Sequence, residues 1–232
     1  MTSSFILPNS AFINYPKQAA FGRTLPKNKI YEHSGANTRL KDLFVEQVEQ
    51  IVWQYKLAPE TINLPAKPGV PELQIFSIQL KTSELNLDVL RCIDGAVQFP
   101  IIFELSFDGR TQVIAAYKRP LLSGGESGAS RWVLSDYFAT SWLPSDIERA
   151  TMPLALDLAG LYEQVLHRLI PTPARSQESL ADLVARVERV AAKQREVEKV
   201  ANKLAKEKQF NRKVEINAEL RQLKTELQEL TL

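Results

Sequence analysis

The sequence Phe99-Pro-Ile-Ile-Phe-Glu-Leu-Ser-Phe107 is the stretch that decides the fold class. Its dense apolar run is typical of a strand that is buried on both faces of a sheet. The dipeptide Asp108-Gly109 follows, and this pair is a strong signal for a tight turn. A second candidate strand covers residues 112–117. The segment therefore predicts two antiparallel strands joined as a β-hairpin.

Helices and further strands are predicted on either side of this hairpin. Where apolar side chains recur every three to four residues, the spacing predicts amphipathic helices, and where they alternate with polar residues it predicts strands. The result is an α+β fold in which helices flank a mostly antiparallel sheet. The predicted helices cover residues 38–55, 86–93 and 154–170, and the additional strands cover 70–81 and 131–140, with a glycine-rich loop at 123–128.

The composition of the chain changes near Pro171 and Pro173. Before this point the sequence is mixed and rich in prolines and aromatic residues. From residue 176 onwards it contains neither glycine nor proline, and Phe210 is its only aromatic residue. Alanine, glutamate, lysine, arginine and leucine dominate there, which is typical of long helices. We therefore predict two domains, an α+β body at 1–172 and a helical arm at 173–232.

Two apolar seams run through the predicted arm. The first seam, between residues 180 and 204, has the alternating steps of three and four that are typical of a coiled coil. The second seam, between 216 and 230, has the same spacing but is out of phase with the first by two residues. A turn at 206–213 resolves this mismatch and predicts an antiparallel helical hairpin with that segment as its tip. One long helix with a shifted seam is the alternative.

The predicted hairpin is interpreted as an arm that docks on another protein, because apolar heptads of this length normally find partners. Residues 173–232 hold 13 basic and 10 acidic side chains, so the excess of positive charge is modest. The tip suits a phosphate backbone or an acidic protein groove, and the modest excess favours the groove. A stalk that packs on its own domain and a homodimerising coiled coil are the alternatives. The candidate partner-binding residues are Leu183, Val187, Val190, Lys208, Phe210, Arg212 and Lys213.

Composition excludes several classes of site. The 29 basic and 27 acidic residues give a net charge of +2, which is too small to indicate a nucleic-acid or membrane partner by itself. The single cysteine, Cys92, excludes an internal disulfide and a cysteine-rich zinc site. His33 and His167 lack the paired spacing of metal ligands, and the glycines at 124–128 lack the lysine of a phosphate-binding loop. We predict no catalytic residues, no metal and no cofactor.

The location of the protein is predicted from the same features. No apolar stretch reaches the roughly 18 residues that span a bilayer. Residues 1–13 lack the basic and then apolar pattern of a secretory leader. These features predict a cytoplasmic protein without a membrane partner.

The one enzymatic pattern to be weighed is a metal-dependent nuclease. Such an enzyme needs carboxylates near strand ends and a lysine that orients the attacking water. Asp94, Glu104 and Lys118 have a suitable order in the chain, but the usual Glu-x-Lys pair is missing, since Leu105 and Ser106 follow Glu104. In the alternative interpretation Asp94 caps a turn and Glu104 pairs with a basic neighbour.

Four stretches of the chain together carry a family resemblance. They are Leu25-Pro-Lys27, Ile51-Val-Trp-Gln-Tyr-Lys-Leu-Ala-Pro-Glu-Thr-Ile-Asn63, Leu90-Arg-Cys-Ile-Asp94 ahead of Phe99-Pro-Ile-Ile-Phe103, and Lys206-Glu-Lys-Gln-Phe-Asn-Arg-Lys-Val-Glu-Ile-Asn217. With these stretches the chain resembles a bacterial family known as domain of unknown function 4391. The resemblance implies a genomic setting beside helicases and DNA methyltransferases of restriction-like or phage-defence loci. Residues 207–223 also resemble the short helical hairpin through which nucleotide-excision repair proteins dock on each other.

Together these features predict a non-catalytic accessory subunit of a DNA-targeting restriction-like or antiviral defence complex. Its partner is expected to be a protein such as a helicase or a DNA methyltransferase, and any contact with DNA is expected to be indirect. A divergent Mg²⁺-dependent nuclease is the alternative. A homodimeric interaction protein outside DNA metabolism is a third hypothesis, and a homo-oligomer is accordingly a possible state of the chain.

Overall fold

The computed structural model describes residues 9–121 and 132–231. The chain divides into two compact units, with the division between Pro171 and Thr172. The loop predicted at 123–128 lies outside the described residues. The elements of the first unit are, in chain order, β1 (Ile13–Asn14), a 3₁₀ turn (Lys17–Ala19), β2 (Ala20–Thr24), α1 (Lys27–Ser34), α2 (Thr38–Gln47), β3 (Val48–Leu57), α3 (Pro59–Ile62), β4 (Leu73–Leu80), α4 (Leu87–Ala96), β5 (Ile101–Phe107), β6 (Arg110–Pro120), β7 (Trp132–Ala139), β8 (Leu143–Pro144), β9 (Ala150–Thr151) and α5 (Leu158–Leu169).

A mixed sheet forms the centre of the first unit. Its strands lie in the spatial order β2-β3-β4-β5-β6-β7, and β8 pairs with β6. The pairing of β4 with β5 is parallel, and the other pairings of this sheet are antiparallel. Helix α4 connects β4 to β5 and supplies the crossover that a parallel pair requires. The predicted α+β fold with a mostly antiparallel sheet is confirmed.

The hairpin predicted from residues 99–117 is confirmed as β5 and β6. Phe107 pairs with Arg110, so Asp108 and Gly109 form a two-residue turn. Both residues have positive φ angles, 45° and 69°, as the tight turns of twisted hairpins require. On β5, Phe103 and Leu105 lie in the core cluster that also contains residues of α2 and α4. Because side chains alternate along a strand, Glu104 projects from the opposite face of the sheet.

The helix predicted over 38–55 is wrong in its second half. Helix α2 ends at Gln47, and the chain continues as β3, which pairs with β2 and β4. The segment 48–57 is rich in β-branched and aromatic residues, and these favour a strand that finds partners on both sides. The Lys27 ammonium lies at the junction of α2 and β3, where it donates hydrogen bonds to the carbonyls of Phe44 and Val48.

The other predicted helices and strands are confirmed, although their first and last residues differ from the predicted ones. The strands at 70–81 and 131–140 and the helix at 86–93 correspond to β4, β7 and α4. Helix α5 begins at Leu158 rather than at 154, because the Asp157 side chain caps it by accepting from the Gly160 amide at 2.8 Å. Leu154 precedes that cap and is 95% exposed. Two helices, α1 and α3, and four strands, β1, β2, β8 and β9, were not predicted from the sequence.

The second unit is a helical hairpin, as predicted. Its helices are α6 (Leu180–Lys206) and α7 (Phe210–Thr231), joined by residues 207–209. The helices are antiparallel, since a cluster near the loop joins Val200 to Ile216 and Leu220. Further from the loop, the Lys193 ammonium lies 3.0 Å from the Glu226 carboxylate. The two helices are therefore paired along their length. That they pack as a coiled coil stays a prediction.

The start of the second unit is fixed by a buried ion pair. The Arg186 guanidinium is buried and donates to both carboxylate oxygens of Glu178, at 2.7 and 2.8 Å. It also donates to the carbonyl of Pro173 at 3.0 Å. The hydrogen bonds from Arg186 lower the pKa of Glu178 to about 2. The segment before α6 is therefore held against the first turns of that helix.

Candidate functional site

The tip of the α6–α7 hairpin is built without glycine or proline. Glu207 is the C-cap of α6: its amide donates to the Lys203 carbonyl at 3.1 Å, and its extended backbone ends the helix. The Glu207 carboxylate then accepts from the amides of Lys208 and Gln209, at 2.7 and 2.8 Å. These bonds to backbone amides lower the pKa of Glu207. One side chain thus satisfies the free amides before α7, and the turn is fixed by a carboxylate in place of a flexible residue.

An aromatic ring and several cations lie at this tip. Phe210 is the first residue of α7 and is 78% exposed, and Val214, one turn further, is 55% exposed. The side chains of Lys208, Arg212 and Lys213 are also exposed. The structure therefore exposes all four predicted tip residues, with Arg212 on the opposite side of α7 from Phe210. It adds Val214, which the prediction missed. The signal for Val214 was its i+4 spacing from Phe210, which places both on one helix face.

The three predicted seam residues lie elsewhere on the hairpin. Leu183 is fully buried, while Val187 and Val190 are half-buried. At about 1.5 Å per residue, their distances from Leu204 at the end of α6 place these side chains roughly 20–30 Å along the helix from the tip. The structure thus separates the predicted partner-binding residues into a covered group and an exposed group.

A buried polar cluster in the first unit contains two of the three candidate nuclease residues. The Lys118 ammonium lies 3.6 Å from a carboxylate oxygen of Asp94 and donates to the backbone carbonyls of Asp94 and Val97. The other carboxylate oxygen of Asp94 accepts from the Tyr137 hydroxyl at 2.6 Å. The Trp132 ring lies 5.8 Å from the ammonium. The buried cation therefore caps the C-terminal end of α4, where helix carbonyls are free.

Burial determines the charge state of this cluster. It raises the pKa of the Asp94 carboxyl to about 6 and lowers the pKa of the Lys118 ammonium. It also raises the pKa of the Tyr137 hydroxyl, to which the nearby Asp94 carboxylate contributes further. Each group is disfavoured in its charged form by the loss of water, and the contact between Asp94 and Lys118 offsets part of that cost.

The third candidate nuclease residue, Glu104, is engaged in a separate contact. Its two carboxylate oxygens accept from the Arg149 guanidinium at 2.8 and 2.7 Å. Arg149 also donates to the Ile13 carbonyl at 3.0 Å, which ties β1 to the region before β9. The alternative interpretation of Glu104, pairing with a basic neighbour, describes this geometry. Within residues 9–121 and 132–231, no three His, Cys, Asp or Glu side chains are grouped so that they could hold a metal ion.

The remaining candidate ligands are distributed singly. His33 contacts the carbonyl of Lys29 at 3.0 Å, and His167 lies 3.6 Å from Glu163. Cys92 is buried, and its thiol lies 2.9 Å from the Ser34 hydroxyl. Burial raises the pKa of this thiol, which lowers its thiolate character. In the part of the chain that the structure describes, no helix is long and apolar enough to cross a membrane.

The chain is thus an α+β protein that carries a C-terminal helical hairpin with an exposed aromatic and cationic tip. It belongs to the family described as Domain of unknown function (DUF4391), whose family model matches residues 13–227. No curated protein and no solved structure matches the chain.

Proposed function

We propose that the protein is a non-catalytic assembly subunit that docks on a partner protein through the tip of its α6–α7 hairpin. The observation that carries this proposal is the exposure of Phe210, 78%, beside the half-exposed Val214. Complete burial of a phenylalanine side chain contributes about 1.5–3 kcal/mol. Aromatic side chains, phenylalanine among them, and arginine are also enriched at protein interfaces.

The hairpin does not need this ring for its own folding. The helices pair through Val200, Ile216 and Leu220, which are buried, with Leu204 and Leu223 packed against them. The turn is held by the carboxylate of Glu207. A ring that contributes to neither contact supports a role in binding.

The polar groups of the first unit support a structural role for that unit. Lys118 and Asp94 close the end of α4, and Glu104 with Arg149 holds β1. Each group is already occupied by partners within the fold. This arrangement favours the assembly role over the alternative of a nuclease built on Asp94, Glu104 and Lys118.

The class of partner follows from the family resemblance. That resemblance implies helicases or DNA methyltransferases of restriction-like or antiviral defence systems, so the complex is proposed to act on DNA. The protein itself is proposed to contact DNA only indirectly, because a short cationic tip matches few phosphates of a duplex that carries one charge per 1.7 Å.

The test compares two exposed apolar side chains in the full-length protein. Phe210→Ala is expected to release the partner from the complex purified from the native host, because the anchoring ring is lost. Leu154→Ala is the matched control, since Leu154 is 95% exposed on the first unit. The measurement is the mass and composition of the complex by light scattering and mass spectrometry.

Three outcomes contradict parts of the proposal. An unchanged complex in Phe210→Ala shows that the tip does not dock. A purified protein whose mass is twice that of the chain, and falls to one chain in Phe210→Ala, indicates a homodimer. Tight, salt-sensitive binding of the isolated protein to a DNA duplex, lost when Lys208, Arg212 and Lys213 are changed to glutamine, indicates direct contact with DNA.

A further inference from the structure

The exposed surface of α7 is divided into two faces of opposite charge. With 3.6 residues per turn, each residue advances about 100° around the helix axis. Phe210 and Val214 fall within about 40° of each other, and between residues 210 and 224 three cations and an asparagine fall in the same sector. We name this sector the α7 stripe. Its members are Phe210, Lys213, Val214, Asn217, Arg221 and Lys224.

The α7 stripe is separate from the surface that pairs α7 with α6. The pairing surface is centred on Ile216 and Leu220, which are buried, and on Leu223. Its centre lies more than about 100° around the helix from the centre of the α7 stripe. Five of the six stripe residues are exposed, and Asn217 is half-buried. The hairpin therefore leaves this face free.

The acidic residues of α7 lie on the flank opposite the α7 stripe. Glu215, Glu219 and Glu226 cluster there at intervals that share one helix face, and Glu226 pairs with Lys193 at 3.0 Å. Arg212 belongs to this flank by the same geometry. None of Lys213, Arg221 and Lys224 forms an ion pair with the residues that the structure describes.

We propose that the α7 stripe binds an acidic groove of a partner protein, with Phe210 and Val214 in an apolar pocket at one end. The proposal rests on the proposed function, because it names the chemistry of the surface on which the hairpin docks. From Phe210 to Lys224 the stripe is about 21 Å long. The groove would carry carboxylates opposite Lys213, Arg221 and Lys224. An amphipathic helix in a groove is a common mode of protein recognition, with anchors at i and i+4.

The chemistry of the α7 stripe favours a protein over a nucleic acid. Its three cations spread over about 16 Å, whereas a duplex presents one phosphate charge per about 1.7 Å. The adjacent aromatic and aliphatic side chains match a pocket and have no counterpart on a phosphate backbone. A protein groove accounts for both the apolar end and the spaced cations.

Photocrosslinking in the native host tests which face is covered. The photoreactive residue benzoylphenylalanine replaces Asn217 on the α7 stripe, and in a matched control it replaces Gln222 on the acidic flank. Both full-length variants keep Phe210. We expect a protein crosslink from position 217 and none from 222, with the crosslinked peptide rich in aspartate and glutamate.

Charge reversal of the α7 stripe then tests the contact with the partner identified in this way. The triple change Lys213→Glu, Arg221→Glu and Lys224→Glu is expected to weaken binding to the purified partner about tenfold or more. The control Glu215→Lys with Glu219→Lys is expected to leave binding unchanged or strengthen it. Reversing the crosslinked carboxylates of the partner to lysine is expected to restore binding of the triple variant. Circular dichroism verifies that each variant keeps its helices.

The outcomes separate this inference from the proposed function. Crosslinking from position 222 alone, with the partner still released by Phe210→Ala, overturns the α7 stripe and leaves the docking function in place. Retention of the partner by Phe210→Ala, with no crosslink from either position, overturns both. A crosslink from position 217 to nucleic acid or to a second copy of the chain overturns the acidic protein groove. Binding that the triple variant leaves unchanged also overturns it.

Discussion

Removal of the buried ammonium at the end of α4 is expected to destabilise the first unit strongly. Lys118→Met keeps a long unbranched side chain but removes the charge. The Asp94 carboxylate then loses the cation 3.6 Å away, and the carbonyls of Asp94 and Val97 lose their donor. Breaking a buried ion pair from one side costs about 3–5 kcal/mol, because it leaves an uncompensated group out of water.

Urea unfolding followed by tryptophan fluorescence measures this loss. The three tryptophans, Trp53, Trp132 and Trp142, all lie in the first unit, so the signal reports on that unit. With a slope of about 2 kcal/mol per molar urea, the expected loss lowers the midpoint by roughly 1.5–2.5 M. Lys29→Met is the control, since Lys29 forms an exposed pair with Glu32, and no change of the midpoint is expected.

A double variant separates the loss of the ion pair from a general effect of the substitution. Asp94→Asn together with Lys118→Met leaves no uncompensated charge, so its cost should be smaller than the sum of the two single changes. If Lys118→Met lowers the urea midpoint by less than about 0.5 M, the reasoning is refuted. It is also refuted if the double variant costs as much as the two single changes added together.

Two further predictions concern buried polar groups of the first unit. Burial raises the pKa of Asp94 from 3.8 to about 6. Between these two pH values the folded chain holds a proton on Asp94 that the unfolded chain has released. The stabilisation that this bound proton gives is full below pH 3.8 and is lost as the pH rises to about 6. Asp94→Asn should flatten that part of the pH profile of the unfolding free energy, and an unchanged slope contradicts the raised pKa. Tyr15 is only 5% exposed, and its hydroxyl has no hydrogen-bond partner among the described residues. Tyr15→Phe should therefore be neutral or stabilise the protein by up to about 1 kcal/mol, and a loss above about 1 kcal/mol would show that the hydroxyl is bonded in solution.

Elements whose local pattern agrees with their final burial could be predicted from the sequence. The β5–β6 hairpin is fixed by an apolar run and an Asp-Gly turn, and α4 by one apolar face and the capping side chain of Asn86. The hairpin of α6 and α7 follows from a phase mismatch between two apolar seams. In each case the signal lies within a few residues of the element that it determines.

The segment 48–57 shows where such local reasoning fails. Its apolar residues can be placed on one helix face, yet the segment pairs with β2 and β4 as a strand. Both patterns are compatible with the spacing of these residues, and the pairing partners decide between them. The partners lie tens of residues away, and no local periodicity encodes their position.

The polar contacts were unpredictable for the same reason. Glu104 and Arg149 lie 45 residues apart in the chain, and Asp94 and Tyr137 lie 43 apart. Nothing in the sequence marks Arg149 as the partner of Glu104 or Tyr137 as the partner of Asp94. The order of Asp94, Glu104 and Lys118 is that of a nuclease, but alternation along β5 sends Glu104 to the other face of the sheet.

The modest charge of the arm conceals a strong local asymmetry. Residues 173–232 carry 13 basic and 10 acidic side chains, and counted together these nearly cancel. Around the axis of α7 they do not cancel, because Lys213, Arg221 and Lys224 share a face that Glu215 and Glu219 do not reach. A partner contacts one face of a helix, so the charge of that face determines the attraction. In the proposed complex, the exposed phenylalanine at the end of the cationic face would give that attraction a fixed register, since one placement of the helix would bury the ring in its pocket.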